Sequence, residues 1–350
     1  MEKYEKLQEK LSRHPIGAPR NDDYLEILKI LFHEDEIDLA LQLEFRLTKT
    51  SELAHKAGIG EDEAAKKLEA LACRGSILSK KSGDEMSYAL LPNYPGLMEY
   101  PVMKGDEKLR KRLAGLWHSY YMKDMGAELA AATPAWNRVL PAENAIPGDT
   151  EILPFEIASR MMEKNEAIAV ADCPCRIMEK NCDKPLDVCI SFDGIARFLV
   201  ERGMGKLITL EEAREVLKRS EEAGLVHMTI NSEERLTLIC NCCPCCCHLL
   251  MLLTKINNPD AIARSSYLAK YNADECIGCG ICEERCPMGA FTMNDDLAVY
   301  DPEKCIGCGL CVSTCAVEAI TLAKRDNYQP PSATIGELVQ KIVVGKRARA

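Results

Sequence analysis

Apolar positions set the first elements. From Asp23 the stretch YLEILKILF places them at helical spacing, which predicts a helix. A second helix fits residues 50–57, where Thr50 or Ser51 can cap the first turn. A third runs over about residues 61–73 and puts Cys73 on an apolar face with Leu68, Leu71 and Ile77, the setting of a packing residue. The next segment, ILSKKSGDEMSYALLP, alternates as strand, glycine-containing turn and strand. Residues 1–20 are polar, end in HPIGAPR and read as a lead-in.

Three helices followed by a hairpin resemble a winged helix-turn-helix, so residues 1–94 are expected to form a winged-helix-like domain. Residues 95–150 read as a connector, with a helix near residues 106–122 and an extended passage holding Pro134, Pro141 and Pro147. The Trp117, His118, Tyr120 and Tyr121 group in that helix reads as core or interface. A middle domain is expected over 151–265. It opens with a helix at 155–164 and the apolar strand AIAVA leading into Cys173. Thr209 and Glu212 form a capping-box pattern, and Gly224 marks the end of that helix. VHMTI and LTLIC, separated by NSEER, read as a hairpin whose second strand delivers Cys240. Residues 266–325 form a separate unit, and 326–350 a C-terminal helix at 335–344 with a solvated basic tail, GKRARA. The fold class is therefore α+β and multi-domain.

Composition changes this picture mainly through cysteine. The chain has 350 residues, a net charge of −10 and 19 cysteines. No apolar run is long enough for a membrane span, and the charged N-terminus does not read as a signal peptide, so a cytoplasmic location is expected. Disulfides are rare there, which leaves metal ligation as the main use for the thiols. Eighteen of the 19 lie between Cys173 and Cys315, a concentration that structural cysteines would not show.

The strongest signal is a repeat. Cys276, Cys279, Cys282 and Cys286 are spaced C-x2-C-x2-C-x3-C, and Cys305, Cys308, Cys311 and Cys315 repeat the spacing 29 residues later. This is the spacing of a bacterial-type ferredoxin with two 4Fe-4S clusters, in which the fourth cysteine of each run serves the other cluster. Cluster 1 would take Cys276, Cys279, Cys282 and Cys315; cluster 2 would take Cys305, Cys308, Cys311 and Cys286. Ala316 stands where a proline often follows, which touches loop stiffness and no ligand.

The middle domain carries ten more thiols, Cys173, Cys175, Cys182 and Cys189, then Cys240, Cys242, Cys243, Cys245, Cys246 and Cys247. Three uses stay open for them: one or two further 4Fe-4S clusters, an atypical cluster at which a substrate is reduced, or a structural zinc site. Neighbouring cysteines cannot easily chelate one iron, so Cys242 and Cys243, and the run 245–247, should point to different partners. His248 reads as a hydrogen-bonded neighbour more readily than as a ligand. Arg176 could donate to a thiolate or make a surface ion pair.

With these motifs, CPCR, NCCPCCC and the duplicated run, the chain resembles a group of anaerobe iron–sulfur proteins from about Arg138 to Ile320. In them a winged-helix-like region precedes a cysteine-rich segment and a two-cluster ferredoxin module. The resemblance implies an electron-transfer protein, in anaerobic metabolism, that serves a partner oxidoreductase. No phosphate-binding loop or dinucleotide fingerprint is present, which argues against ATP-driven or NAD- or FAD-dependent chemistry. Whether the chain itself turns over a substrate is left open.

A redox-sensing DNA-binding regulator is the rival from another class. Residues 22–85 hold fifteen acidic and nine basic residues, and the third helix opens with GEDEAA. A phosphate backbone needs a basic face, so protein docking, or dimerisation through the N-terminal domain, is the better expectation and DNA is disfavoured.

Overall fold

The computed structural model describes residues 1–147 and 154–349. The N-terminal region holds α1 (Glu2–Leu11), α2 (Asp22–Leu31), α3 (Ile37–Ala40), β1 (Thr48–Lys49), α4 (Thr50–Ala57), α5 (Glu61–Arg74), β2 (Ile77–Ser82) and β3 (Glu85–Leu90). The supposed lead-in is a helix: Leu7 and Leu11 of α1 are buried, an apolar pair four residues apart that outweighs a polar composition. Asn21 caps α2 by accepting from the Asp23 N–H. The three strands align in the order β1, β3, β2.

Cys73 departs from expectation. It is exposed, and the buried residues of α5 are Ala64, Leu68, Leu71 and Ala72. At five residues from Leu68 and two from Leu71, Cys73 has rotated off the apolar stripe.

The connector contains α6 (Tyr100–Lys104), α7 (Glu107–Tyr120), a wide-wound turn over Tyr121–Met125, α8 (Gly126–Ala131) and β4 (Asn137–Leu140). Trp117, Tyr120 and Tyr121 are fully buried, as their pattern suggests. The middle region adds α9 (Ala158–Met162), β5 (Ile168–Asp172), α10 (Pro174–Glu179), β6 (Asp187–Phe192), α11 (Asp193–Glu201), β7 (Lys206–Ile208), α12 (Leu210–Glu222), β8 (Val226–Ile230), β9 (Leu238–Cys242) and α13 (His248–Thr254). The helix expected at 155–164 is only the short α9, preceded by a 3-10 turn at Pro154–Glu156. The start of that expected domain, residues 151–153, lies outside the described residues. The capping box at Thr209 forms as expected, with reciprocal bonds to Glu212.

Six antiparallel strands make one sheet in the order β4, β8, β9, β6, β5, β7. The passage expected to be merely extended thus supplies an edge strand, because residues 137–140 pair with β8. The β8–β9 pairing, Met228 with Cys240 and Val226 with Cys242, starts two residues later than the sequence pattern implied.

The C-terminal region contains β10 (Tyr267–Tyr271), α14 (Ile281–Arg285), β11 (Phe291–Asn294), β12 (Leu297–Tyr300), β13 (Ile320–Lys324) and α15 (Ile335–Arg349). β10 pairs with β13 and β11 with β12. α15 runs well past residue 344, and Lys346 in the basic tail pairs with Glu128.

Hydrogen bonds join these parts. Ala142 N–H donates to the Cys308 carbonyl (2.9 Å) and Ser265 N–H to that of Ile306 (3.1 Å). Arg285 on α14 donates to the carbonyls of Glu221 (2.6 Å) and Glu222 (2.8 Å) at the end of α12. Arg202, just after α11, donates to Ser79 Oγ (2.8 Å) and Glu69 Oε2 (3.0 Å) and reaches Cys73 Sγ (3.2 Å), which ties α5 and the hairpin to the middle region. Among the described residues no helix is long and apolar enough to cross a membrane.

Candidate metal centres

The C-terminal thiols gather around two separate cavities of about 20 Å³ each. Cys276, Cys279, Cys282 and Cys315 line the first, beside Tyr271 and Ile320; Cys311 also reaches it. Cys286, Cys305, Cys308 and Cys311 line the second. These are the crosswise sets that the spacing implies.

The loops are built to close around something. Gly278 and Gly307 sit 29 residues apart with φ of +68° and +72°. A Cβ at Gly278 would lie 2.1 Å from the Asp296 carbonyl oxygen, and one at Gly307 would lie 2.0 Å from that of Tyr267. Only glycine allows both the left-handed turn and this approach. Backbone N–H groups then point at sulfur: Gly278 to Cys276 Sγ (3.5 Å), Ala290 to Cys286 Sγ (3.2 Å) and Ala269 to Cys305 Sγ (3.5 Å). Such donors stabilise thiolate charge and raise the potential of a bound cluster. Phe291 lines the second cavity, stacked on Tyr300 (4.7 Å) and edge-on to Tyr271 (5.8 Å), which lines the first. Four soft donors round an N–H-lined cavity suit a cubane.

The family comparison decides the matter for this part of the chain. The model of the family described as "4Fe-4S dicluster domain" matches residues 268–316. This region is a 4Fe-4S dicluster domain. A "Probable ferredoxin" of Methanosarcina thermophila is 52% identical to the chain over 29 residues, 8% of this chain and 50% of that protein. The chain thus spans about half the length of that curated relative. No solved structure matches.

The two sites of the dicluster domain differ in depth. Cys305, Cys308 and Cys311 are buried, and burial pushes the Cys308 thiol up to about 12. Cys279 is exposed, and beside it Ile277 and Val317 keep 66% and 38% of their surface in solvent. The inner site abuts the segment just after β4 through the Cys308 carbonyl, which accepts from the Ala142 N–H; the outer one faces water.

The ten middle-region thiols divide into two groups. Six line one cavity as a ring in which each neighbours two others: Cys173, Cys175, Cys247, Cys242, Cys240 and Cys189, then Cys173 again. Strand geometry explains half of it. Cys240 and Cys242 are two apart on β9 and share a face, and the ladder that pairs Ile190 with Ile239 brings Cys189 opposite Cys240. Cys173 and Cys175 enter from the β5–α10 junction, and Cys247 from the N-terminus of α13. Around the ring, hydrogen bonds from neighbouring thiols hold Cys173, Cys240 and Cys247 below the ordinary thiol range and Cys175, Cys189 and Cys242 above it. The ring borders a cavity of about 50 Å³ that is also lined by Tyr94, Glu99 and Tyr121. Burial raises Glu99 to about 8, partly offset by a hydrogen bond from the Gly96 N–H (2.6 Å).

The other four, Cys182, Cys243, Cys245 and Cys246, place all their sulfurs within 4.8 Å of one another. Cys242 and Cys243 do part company, as expected, and so do Cys246 and Cys247; Cys245 and Cys246 stay together. Arg176 is buried and not at the surface, donating to Cys243 Sγ (3.5 Å) and the Asn241 carbonyl (3.0 Å). His248 belongs to neither group. Its Nε2 and the Nδ1 of His118 both meet Glu179 Oε1, at 2.7 and 2.9 Å, and its ring stacks on Tyr121. Burial raises the Glu179 carboxyl, but the two histidines outweigh this and leave it below its usual range. Spacing could not reveal the six-and-four division, which depends on strand register.

Proposed function

We propose that this protein is a multi-centre electron carrier that passes single electrons between a partner oxidoreductase and the outer site of its dicluster domain. The observation that carries this reading is the pair of crosswise four-thiol sets, one buried against the middle region and the other open to solvent. Clusters held there would supply reversible one-electron redox capacity. The chain's own residues do the rest. Backbone N–H groups at Gly278, Ala269 and Ala290 stabilise thiolate charge, and Ile306 and Leu310 keep water from the inner site. The exposed rim of Ile277, Cys279 and Val317 offers the partner a short approach. The six-thiol ring is the third centre, and its donor set fits iron–sulfur chemistry.

A second reading has two observations in its favour. Six thiols exceed what a cubane uses, and Glu99 shares their cavity, which suits an atypical cluster that reduces a substrate. For the N-terminal region, the engagement of Glu69, Cys73 and Ser79 by Arg202 supports a winged-helix-like unit that docks on protein. That engagement and the acidic start of α5 weigh against a DNA regulator.

Anaerobic iron analysis with EPR-monitored redox titration tests the carrier. It should give more than about eight irons per chain and reversible one-electron reduction without added substrate. Iron at or below eight removes the third centre, and reduction only in the presence of a substrate favours the second reading.

A further inference from the structure

Two features set Cys182, Cys243, Cys245 and Cys246 apart from the other thiols. All four sulfurs are mutually close, which no other group of thiols among the described residues achieves, with Cys182 3.8 Å from both Cys243 and Cys246, Cys245 3.9 Å from Cys246, and every pair within 4.8 Å. Four thiolates bonded to one zinc ion at about 2.3 Å in a tetrahedron stand about 3.8 Å apart. A cubane places four irons and four sulfides between its ligands and spreads them much wider. The second feature is order along the chain. Cys182 lies between ring members Cys175 and Cys189, and the turn carrying Cys243, Cys245 and Cys246 lies between ring members Cys242 and Cys247. Both excursions leave the ring and meet each other.

We infer that these four cysteines form a mononuclear tetrahedral metal site, occupied by zinc, which clamps together the two loops that build the six-thiol ring. Local structure fits that role. The turn is tight, with the Cys247 N–H bonded to the Cys243 carbonyl (3.0 Å), so three thiols come from one short bend. The stretch carrying Cys182 has no regular secondary structure between α10 and β6, and Asn181 Nδ2 bonds the Cys245 carbonyl across the gap (2.9 Å). Four thiolates on a divalent ion carry a net charge of −2, and the buried Arg176 guanidinium on Cys243 Sγ offsets part of it. The ion has no open position and so no catalytic part; it holds geometry.

This inference rests on metal ligation by the middle region but not on the carrier reading, and the two fail separately. The test is zinc and iron analysis of the anaerobically purified full chain, with zinc-edge X-ray absorption. One zinc per chain with a shell of four sulfurs at about 2.3 Å is expected. Cys182→Ser and Cys245→Ser, both at partly exposed positions, should each abolish stoichiometric zinc while the dicluster EPR signals persist. If either variant folds poorly, growth of the unaltered protein on cobalt gives the same answer: intense thiolate-to-cobalt absorption and tetrahedral ligand-field bands are expected. Absence of zinc from the unaltered protein, zinc retained in both variants, or loss of about four irons in place of zinc would each overturn the assignment.

Discussion

The dicluster domain and the middle region solve the same problem, gathering thiols, by opposite routes. In the dicluster domain each set draws three ligands from one tight loop and the fourth from the matching loop one repeat away. In the middle region the ring is assembled from two strands, a strand–helix junction and a helix N-terminus, and it closes only because Cys173 and Cys175 meet Cys189 and Cys247, partners that spacing along the chain does not indicate. A local scaffold exposes its chemistry in its spacing, whereas a sheet-built scaffold hides it in the register. One stretch of chain also serves both groups of thiols, since β9 gives Cys240 and Cys242 to the ring and the turn that follows it gives Cys243, Cys245 and Cys246 to the other four.

The largest effects that would sharpen this contrast come from ligand removal. Cys308→Ser should cost about four irons and the inner-site EPR signal, and destabilise the dicluster domain. Cys240→Ser should leave both dicluster signals intact and lower only the remaining iron. Iron unchanged in Cys240→Ser would break the parallel between the regions.

A smaller effect tests how the dicluster loops are closed. Gly307→Ala sets a methyl group against the Tyr267 carbonyl in a left-handed turn and should cost roughly 3 kcal/mol. Gly289, also left-handed at φ +61°, would meet nothing, and Gly289→Ala should cost roughly 1 kcal/mol. Chemical denaturation of the two anaerobic variants measures the difference. Equal costs would mean that the loop is not held against β10.

The smallest effect concerns the junction between the regions. The two repeats are not equivalent there: Arg285 precedes Cys286 and bonds α12, whereas Thr314 in the matching place bonds only carbonyls of its own loop. Arg285→Ala should cost about 1–2 kcal/mol and loosen docking, visible as faster proteolysis near residues 255–265. Thr314→Ala should change stability by less than about 0.5 kcal/mol. Equal behaviour would mean that the interface does not depend on this arginine.

How much was legible follows from the same contrast. The crosswise cysteine sets, the capping box at Thr209, α4, α5 and the β2–β3 hairpin are written in short-range patterns. Three features were not. Cys73 fell on the wrong side of α5 because its apolar neighbours in sequence are not its neighbours on the helix surface. β4 looked like a proline-punctuated connector because its residues are too few to show alternation and its partners, β8 and Ala263, lie far along the chain. The division of the ten middle thiols depends on the pairing of β6 with β9, two strands almost fifty residues apart.

The unequal depth of the two dicluster sites carries a cost in air. An oxidant dissolved in water meets Cys279 first and reaches Cys308 only after the outer loop has given way. Corrosion should therefore advance from the tip inward: the exposed site is lost while the buried one stays sound, and the domain keeps its shape longer than its full complement of iron.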